Sequence, residues 1–376
     1  MIKFIEAVLI LSGMIIGVGM FGIPFSFVRA GFWLGALELA VLTGLMVLFH
    51  LLYARIILVT PVPHRLPGYV EFHLGRRAEI LAVLSSFFGI IGSLLAYILI
   101  GSVFLHNIFQ SFWAGSSEMF WAIAITLSSA LATLFSSKKE ALIDSALSAA
   151  LILFLGYVVF ILFPRVETAN FSGMNFGEAF LPYGVLLFAL AGGAAIPNVV
   201  TILGKDMKKV GLAILVGTLI PAIIYFLFAF TVVGSVGSGV SEEAIDSLKT
   251  VLSGNMVILL SLIGFLSVYD SYIILNSNAQ ALLKLDFRFG QKIAWLLATL
   301  VPFALYAMGL QNFILIIGAS GAIAVGIEAG LIMAVYERVR QKQGRVATPA
   351  SYLWKAPVFL MVTAGVLYEL YRIYVN

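Results

Sequence analysis

The chain has 376 residues, of which 62% are hydrophobic and 11% are charged; its net charge is +4 and its mean hydropathy is +1.09. Soluble domains carry about 25% charged residues, and here apolar runs long enough to cross a bilayer recur along the whole chain. This composition excludes a soluble globular protein and predicts an all-α polytopic membrane protein. The lipid bilayer is therefore an expected partner, and nothing in the charge indicates nucleic-acid binding.

Eleven membrane-spanning helices are predicted in chain order from the apolar runs. Their expected ranges are 4–28, 32–58, 79–110, 118–136, 142–163, 178–203, 206–235, 253–283, 290–308, 311–337 and 354–375.

The Lys and Arg residues of the connecting segments alternate between the two sides of the membrane. With eleven spans, 18 of the 22 fall on the side of the N-terminus, and the other side holds Arg29, Arg165, Lys249 and Arg372. Because cytoplasmic loops carry the excess of positive charge, the N-terminus is predicted in the cytoplasm and the C-terminus outside the cell membrane.

Helix-breaking residues cluster in the first span and again in the sixth. Span 1 contains "GMIIGVGMFGIPF", with four glycines and Pro24, and span 6 contains "LAGGAAIP", which ends at Pro197. Small residues often serve close helix packing, which is the simpler interpretation of either stretch alone. Two matching stretches in corresponding spans favour a binding site at the interface of an internal repeat.

Two five-helix units follow from this match. Five is an odd number, so the second unit enters the membrane from the opposite face and the repeat is inverted. The predicted units are residues 1–163 and 164–337, and residues 338–376 supply an eleventh helix outside the repeat.

A broken span leaves backbone amides and carbonyls without helical partners. Each such group is costly in hydrocarbon unless protein, water or ligand satisfies it. Two breaks that meet would offer donors to an anion and acceptors to a cation, and an amino acid carries one of each on neighbouring atoms. The break in span 1 contains no carboxylate, so the substrate is expected to bring its own.

The expected pocket wall is apolar and suits a neutral, hydrophobic or aromatic side chain. It comprises Met20, Phe21, Phe188, Ala189, Leu190 and Ala191, beside the glycine Gly192, with Tyr97 as a further candidate.

Asp270 is the most informative charge inside a span. Ser267, Asp270 and Ser271 share one helix face by their spacing. Oxygen atoms on one face suit a hard cation, and a buried carboxylate also suits proton binding. A structural hydrogen bond is the alternative. Glu328 is expected to make an internal hydrogen bond or pair, with a proton relay or inner gate as the alternative.

The segment 236–252 is a longer, acidic loop on the predicted outer side. We expect a short amphipathic helix there, which serves either as a plain connector or as a lid over an outer vestibule.

Motif absences argue against an enzyme. The chain contains no HExxH, no GxSxG and no phosphate-binding GxxxxGK[ST]. We therefore expect no catalytic residues, no cofactor and no direct use of ATP, and no metal apart from a coupling sodium ion.

"GMIIGVGMFGIPF" followed by "RAGFW" resembles the span-1 signature of the amino acid/polyamine/organocation superfamily. "LIGFLSVYDSYI" in span 8 resembles a stretch of its hydroxy and aromatic amino acid permeases, the tryptophan/tyrosine type, to which the amino acid/auxin permeases are similar. The resemblance implies a LeuT-type fold, an inverted five-plus-five repeat with alternating access.

The resemblance also implies roles for individual residues. The substrate carboxylate would meet the amides of Gly17, Val18 and Gly19, and its ammonium the carbonyls near Ile15, Phe188, Ala189 and Ala191. A cation would meet the carbonyls of Gly13 and Ile16 and the oxygens of Ser267, Asp270 and Ser271. One Asp and one Ser replace the usual pair of hydroxyls, which makes a proton at least as suitable as sodium.

The sequence thus predicts a cation-coupled symporter of neutral amino acids, with H+ favoured over Na+ as the coupling ion. The alternatives are a sodium-coupled symporter, an uncoupled exchanger, or, in another class, an amino acid-binding membrane sensor.

Overall fold

The computed structural model describes residues 1–62, 64–110, 112–113, 115–135, 152–344 and 355–375. These residues form helices and turns, with no strand among them. Fifteen α-helices organise this part of the chain, numbered here in chain order. They are α1 (Ile2–Ile15), α2 (Ile23–Ala30), α3 (Phe32–Val59), α4 (Leu66–Leu74), α5 (Arg76–Phe109), α6 (Glu118–Phe135), α7 (Ile152–Arg165), α8 (Leu181–Ala189), α9 (Ile196–Leu203), α10 (Met207–Val236), α11 (Gly254–Leu285), α12 (Gln291–Ala307), α13 (Phe313–Ala319), α14 (Gly326–Lys342) and α15 (Lys355–Val375).

Each predicted span coincides with a helix or a broken helix of the described residues. By length and apolar composition, six helices there can cross a membrane, and seven when α1 and the bent segment Val18–Ala30 count as one span. The helices α6, α7 and α12 are shorter and also apolar. The first part of the predicted fifth span, residues 142–151, lies outside the described residues.

The helices pack as two groups around the first and sixth spans. The long helix α5 packs against α11, α6 and α12, whereas α1 packs against α10 and α9. Between them, α8 packs against α13 and against the π-helical turn Ser320–Val325 that joins α13 to α14. Such turns are rare and occur often at functional sites.

The two broken spans have the same local design. Pro24 lies in the first turn of α2 and Pro197 in the first turn of α9, where a missing amide hydrogen costs little. Both second halves are eight residues long and end at a glycine with positive φ, Gly31 at 106° and Gly204 at 70°. Each proline therefore starts a half-helix, and each glycine stops one.

The outer loop contains a short helix, as the sequence predicts, but of the 3₁₀ type. It lies at Asp246–Thr250, after a shorter 3₁₀ turn at Gly237–Gly239. Ala244 has a φ of 61°, which a right-handed helix does not accommodate. The loop nevertheless packs on the protein, with Ile245 and Leu248 buried.

The eleventh predicted span, α15, packs against helices of the predicted second repeat. The buried carboxylate of Glu369 pairs with Arg372 at 3.3 Å and lies beside Gly318, just before the π-helical turn. Tyr183 of α8 packs against Gly365 of α15. The last helix thus rests on the break-bearing helix α8 and its neighbour α13.

Candidate functional site

The two breaks contact each other through glycines. A β-carbon added at Gly19 would lie 2.7 Å from Cδ1 of Phe188 and 2.9 Å from Cα of Ala189. One added at Gly192 would lie 2.7 Å from Cγ1 of Ile15. The structure therefore brings together the residues from spans 1 and 6 that the sequence predicts at the substrate site, and only glycine lets the backbones approach this closely.

A tyrosine from the seventh span ties the breaks to each other. The hydroxyl of Tyr225, on α10, lies 2.7 Å from the carbonyl oxygen of Ile15 and 3.1 Å from that of Ala189. These carbonyls end α1 and α8, so neither has a partner within its own helix. Tyr225 is fully buried.

Sequence reasoning missed Tyr225. The one available signal is a hydroxyl-bearing aromatic in an otherwise apolar stretch, "PAIIYFLF". A second missed contact supports α1 one turn before its break, where Ser12 Oγ donates to the carbonyl of Gly217 at 3.0 Å. Both contacts join span 1 to α10.

The residues predicted at the substrate site differ in their exposure to solvent. Val18, Met20, Ala189 and Leu190 are buried, and their side chains belong to the core. The half-buried members are Gly17, Tyr97, Phe188 and Ala191. A β-carbon at Gly17 would lie 3.2 Å from the hydroxyl of Tyr97, and the role of Tyr97 in the substrate site stays a prediction.

Three phenyl rings pack on the α2 side of the breaks. Phe21 makes edge contacts with Phe104 of α5, at 5.2 Å between ring centroids, and with Phe228 of α10, at 6.4 Å. None of the three rings is more than 3% exposed. We call this cluster the aromatic plug; on the predicted topology it faces the outer side.

The predicted cation ligands lie on two helices. Gly13 and Ile16 are at the end of α1 and just after it, whereas Ser267, Asp270 and Ser271 lie half-buried in the middle of α11. The main packing partners of α11 are α5, α12 and α6, and those of α1 are α10 and α9. The joint role of the two groups of ligands stays a prediction.

Glu328 lies in α14, one turn beyond the π-helical segment. Its carboxylate accepts a hydrogen bond of 2.9 Å from Ser86 Oγ of α5. This internal hydrogen bond matches the structural interpretation of Glu328. In the part of the chain that the structure describes, no three His, Cys, Asp or Glu side chains come together as metal ligands would.

A family model decides what kind of protein this is. The model of the tryptophan/tyrosine permease family matches residues 1–346. The chain belongs to this family. The permease is therefore an integral membrane transporter and not an enzyme.

Solved structures similar to the permease are transporters. One is Mhp1, a nucleobase-cation-symport-1 family transporter, solved in a closed conformation with bromovinylhydantoin bound. It is 14% identical to the permease, with a TM-score of 0.65, and the match covers 96% of this chain and 90% of that chain. The inward-facing conformation of Mhp1 has a TM-score of 0.68 at 14% identity, and the match covers 98% of this chain and 88% of that chain. MhsT in complex with L-phenylalanine gives 0.65 at 16% identity, over 97% of each chain. No curated protein matches the permease.

These identities are low, so the likeness concerns the fold alone. It confirms the LeuT-type fold that the sequence predicts for the permease.

Proposed function

We propose that the permease is a secondary active symporter of neutral amino acids with hydrophobic or aromatic side chains, which it moves by alternating access together with a coupling cation, H+ rather than Na+. The observation that carries the proposal is the meeting of the two breaks, held together by Tyr225. Its place is the cell membrane, with the N-terminus in the cytoplasm and the C-terminus outside.

The breaks offer complementary groups to an amino acid. A 3₁₀ turn begins at Val18, so the amides of Val18 and Gly19 have no partner within the turn and suit a carboxylate. The carbonyls of Ile15 and Ala189 are acceptors for an ammonium group. No carboxylate lies in either break, in keeping with a substrate that supplies its own charges.

The surroundings of the breaks favour an apolar substrate side chain. Phe188 and Ala191 are half-buried and offer apolar surface beside the breaks, whereas an ionic substrate side chain would need a buried counter-charge. The hydroxyls of Tyr97 and Tyr225 are polar groups close by.

Coupling is assigned to Asp270. An ionisable residue in the middle of a span is costly and serves function by default. Its carboxylate would take up the proton on one side of the membrane and release it on the other as α11 moves relative to α1. Sodium held by Ser267, Asp270 and Ser271 with the carbonyls of Gly13 and Ile16 is the alternative that the experiment separates.

The decisive experiment is uptake of labelled amino acids into proteoliposomes with an imposed gradient of H+ or of Na+. We expect accumulation of a neutral aromatic or aliphatic amino acid with the H+ gradient alone. Accumulation with the Na+ gradient alone would assign sodium, and uptake that ignores both gradients would assign an uncoupled exchanger. Binding without any transport would assign a sensor.

Asp270→Asn tests the coupling residue in the same assay. Asparagine keeps the shape of the side chain but carries no titratable proton, so we expect gradient-driven accumulation to fall to the equilibrium level while counterflow exchange persists. Asp286→Asn, just after the end of α11, is the matched control and should accumulate substrate as the unmodified protein does. Undiminished accumulation by the Asp270 variant would remove this residue from coupling.

A further inference from the structure

The π-helical turn Ser320–Val325 of the tenth span packs against α8, the first half of the broken sixth span. A β-carbon added at Gly321 would lie 2.0 Å from the carbonyl oxygen of Gly184, 2.6 Å from the backbone nitrogen of Phe188 and 2.9 Å from its Cβ. Real β-carbons essentially never have such atoms within 3.0 Å, and backbone cannot give way as the end of a side chain can. Glycine at position 321 is therefore what allows α8 to lie where it does.

Phe188 is in close contact with glycines of two different spans. Its backbone and Cβ lie against Gly321, and its ring lies against the first break, where a β-carbon at Gly19 would be 2.7 Å from Cδ1. Phe188 is half-buried, so part of its surface stays accessible beside the breaks. The position of this residue consequently sets how much room the breaks leave for a substrate side chain.

The π-helical turn is also held by α5, through residues other than Gly321. A β-carbon at Gly92 would lie 1.9 Å from Ser320 Oγ, and one at Gly89 would lie 2.9 Å from Cβ of Ala324. Because protein interiors are close-packed, a turn enclosed in this way has little room to move toward α5. Bulk added to the turn on the side of α8 must therefore displace the end of α8.

We infer that Gly321 is a positioning residue that determines, through Phe188, how large a side chain the substrate site accepts. This inference rests on the proposed function, in which the substrate is a neutral amino acid. The π-helical turn of span 10 thus shapes the site together with the breaks of spans 1 and 6.

The sign of the effect follows from these contacts. Gly321→Ala pushes the backbone of Phe188 away from the turn, and the ring, which already touches Gly19, has to move within the space beside the breaks. The room for a substrate side chain shrinks, so large amino acids lose more affinity than small ones. A glycine that only allowed two helices to pack would, when replaced, weaken the binding of all amino acids alike.

The experiment measures size selectivity with the purified permease in nanodiscs. Dissociation constants are determined for L-alanine, L-valine, L-leucine, L-phenylalanine and L-tryptophan. The constant of the largest amino acid that the unmodified protein binds is divided by that of the smallest. We expect this ratio to be at least fivefold larger in Gly321→Ala than in the unmodified protein. Adding Phe188→Leu, which shortens the displaced side chain, should return the ratio toward its original value.

Gly330→Ala is the matched control. Gly330 lies in α14, in the same span, and nothing lies within 4 Å of the added methyl group. The exchange of glycine for alanine in a helix is the same as at position 321, but no contact with α8 is affected. The ratio should therefore equal that of the unmodified protein.

A second replacement covers the case in which Gly321→Ala fails to fold. Ser320→Ala removes the hydroxyl oxygen that lies against Gly92, so the turn gains room toward α5 and the ratio should fall below that of the unmodified protein. An unchanged ratio in Ser320→Ala, or equal losses for all amino acids in Gly321→Ala, would overturn the role of Gly321 while leaving amino acid transport intact. Failure of the unmodified protein to bind any amino acid would instead overturn the proposed function.

Discussion

Single residues at the breaks show what a sequence pattern can and cannot predict. The glycines and prolines of both breaks predict the two interrupted helices that the structure shows, because few other residues permit an interrupted helix at membrane depth. Tyr225 could not be found this way, since its two acceptors lie 210 and 36 positions away in the chain. Such contacts depend on how spans 1, 6 and 7 pack, and no local signal encodes them.

Gly19 and Gly193 allow a direct test of the contact between the breaks. Gly19→Ala would place a methyl group 2.9 Å from the backbone of Ala189, so the breaks must separate. Overpacking of this kind costs about 1–3 kcal/mol. We expect substrate affinity to fall by roughly tenfold or more in a binding assay.

Gly193→Ala is the control for this substitution. It adds the same methyl group in the second break, where nothing lies within 4 Å of the new atom. Its affinity should match that of the unmodified protein. Equal losses in the two variants would mean that the flexibility of glycine matters and the close approach does not.

At the scale of elements, the long helices were predictable and the connections were not. Apolar runs define α3, α5, α10 and α11 to within several residues, because a bilayer fixes their length. The loop before α11 resembles an amphipathic helix in sequence, but its conformation follows from tertiary contacts. Asn107 of α5 donates to Asp246 at 2.8 Å, and Leu248 is buried.

The docking of this loop is expected to depend on pH through Glu243. Burial raises the pKa of the Glu243 carboxyl above its ordinary value of 4.5, and Asp246 and Glu242 add to the effect. A raised pKa in the folded state means that the contribution to stability is fully present below the ordinary pKa and is lost as pH rises through the raised one. The loop should therefore be held less tightly at neutral pH than in acid.

Glu243→Gln, which stays uncharged, should remove this pH dependence. Amide hydrogen exchange over residues 237–252, compared with the unmodified protein at each pH, measures it. We expect stronger protection in the variant at pH 7.5 and equal protection near pH 4.5. A difference of the same size at both values would contradict the role of the carboxyl.

At the scale of the whole molecule, the spacing of prolines and glycines in the sequence predicts the repeat within the fold. The interval from Pro24 to Gly31 recurs unchanged from Pro197 to Gly204, so the two half-helices have equal lengths. An odd number of spans per unit then makes the repeat inverted. The relation between α1 and α11 is not encoded in this way, since it would change during the alternating access that we propose.

The aromatic plug predicts that this movement changes the heat capacity of the permease. In the proposed transport cycle, opening toward the side of α2 would separate Phe21 from Phe104 and Phe228 and let water reach the rings. Each phenylalanine side chain buries about 150–250 Å². Apolar exposure adds about 0.45 cal/mol/K per Å² to the heat capacity, so exposing the three rings adds on the order of 0.2–0.3 kcal/mol/K.

This heat capacity predicts a curved Arrhenius plot of initial uptake rates if the opening limits turnover. Phe104→Ala removes one of the rings and should make the plot straighter. A straight plot that the substitution leaves unchanged would place the slow step elsewhere.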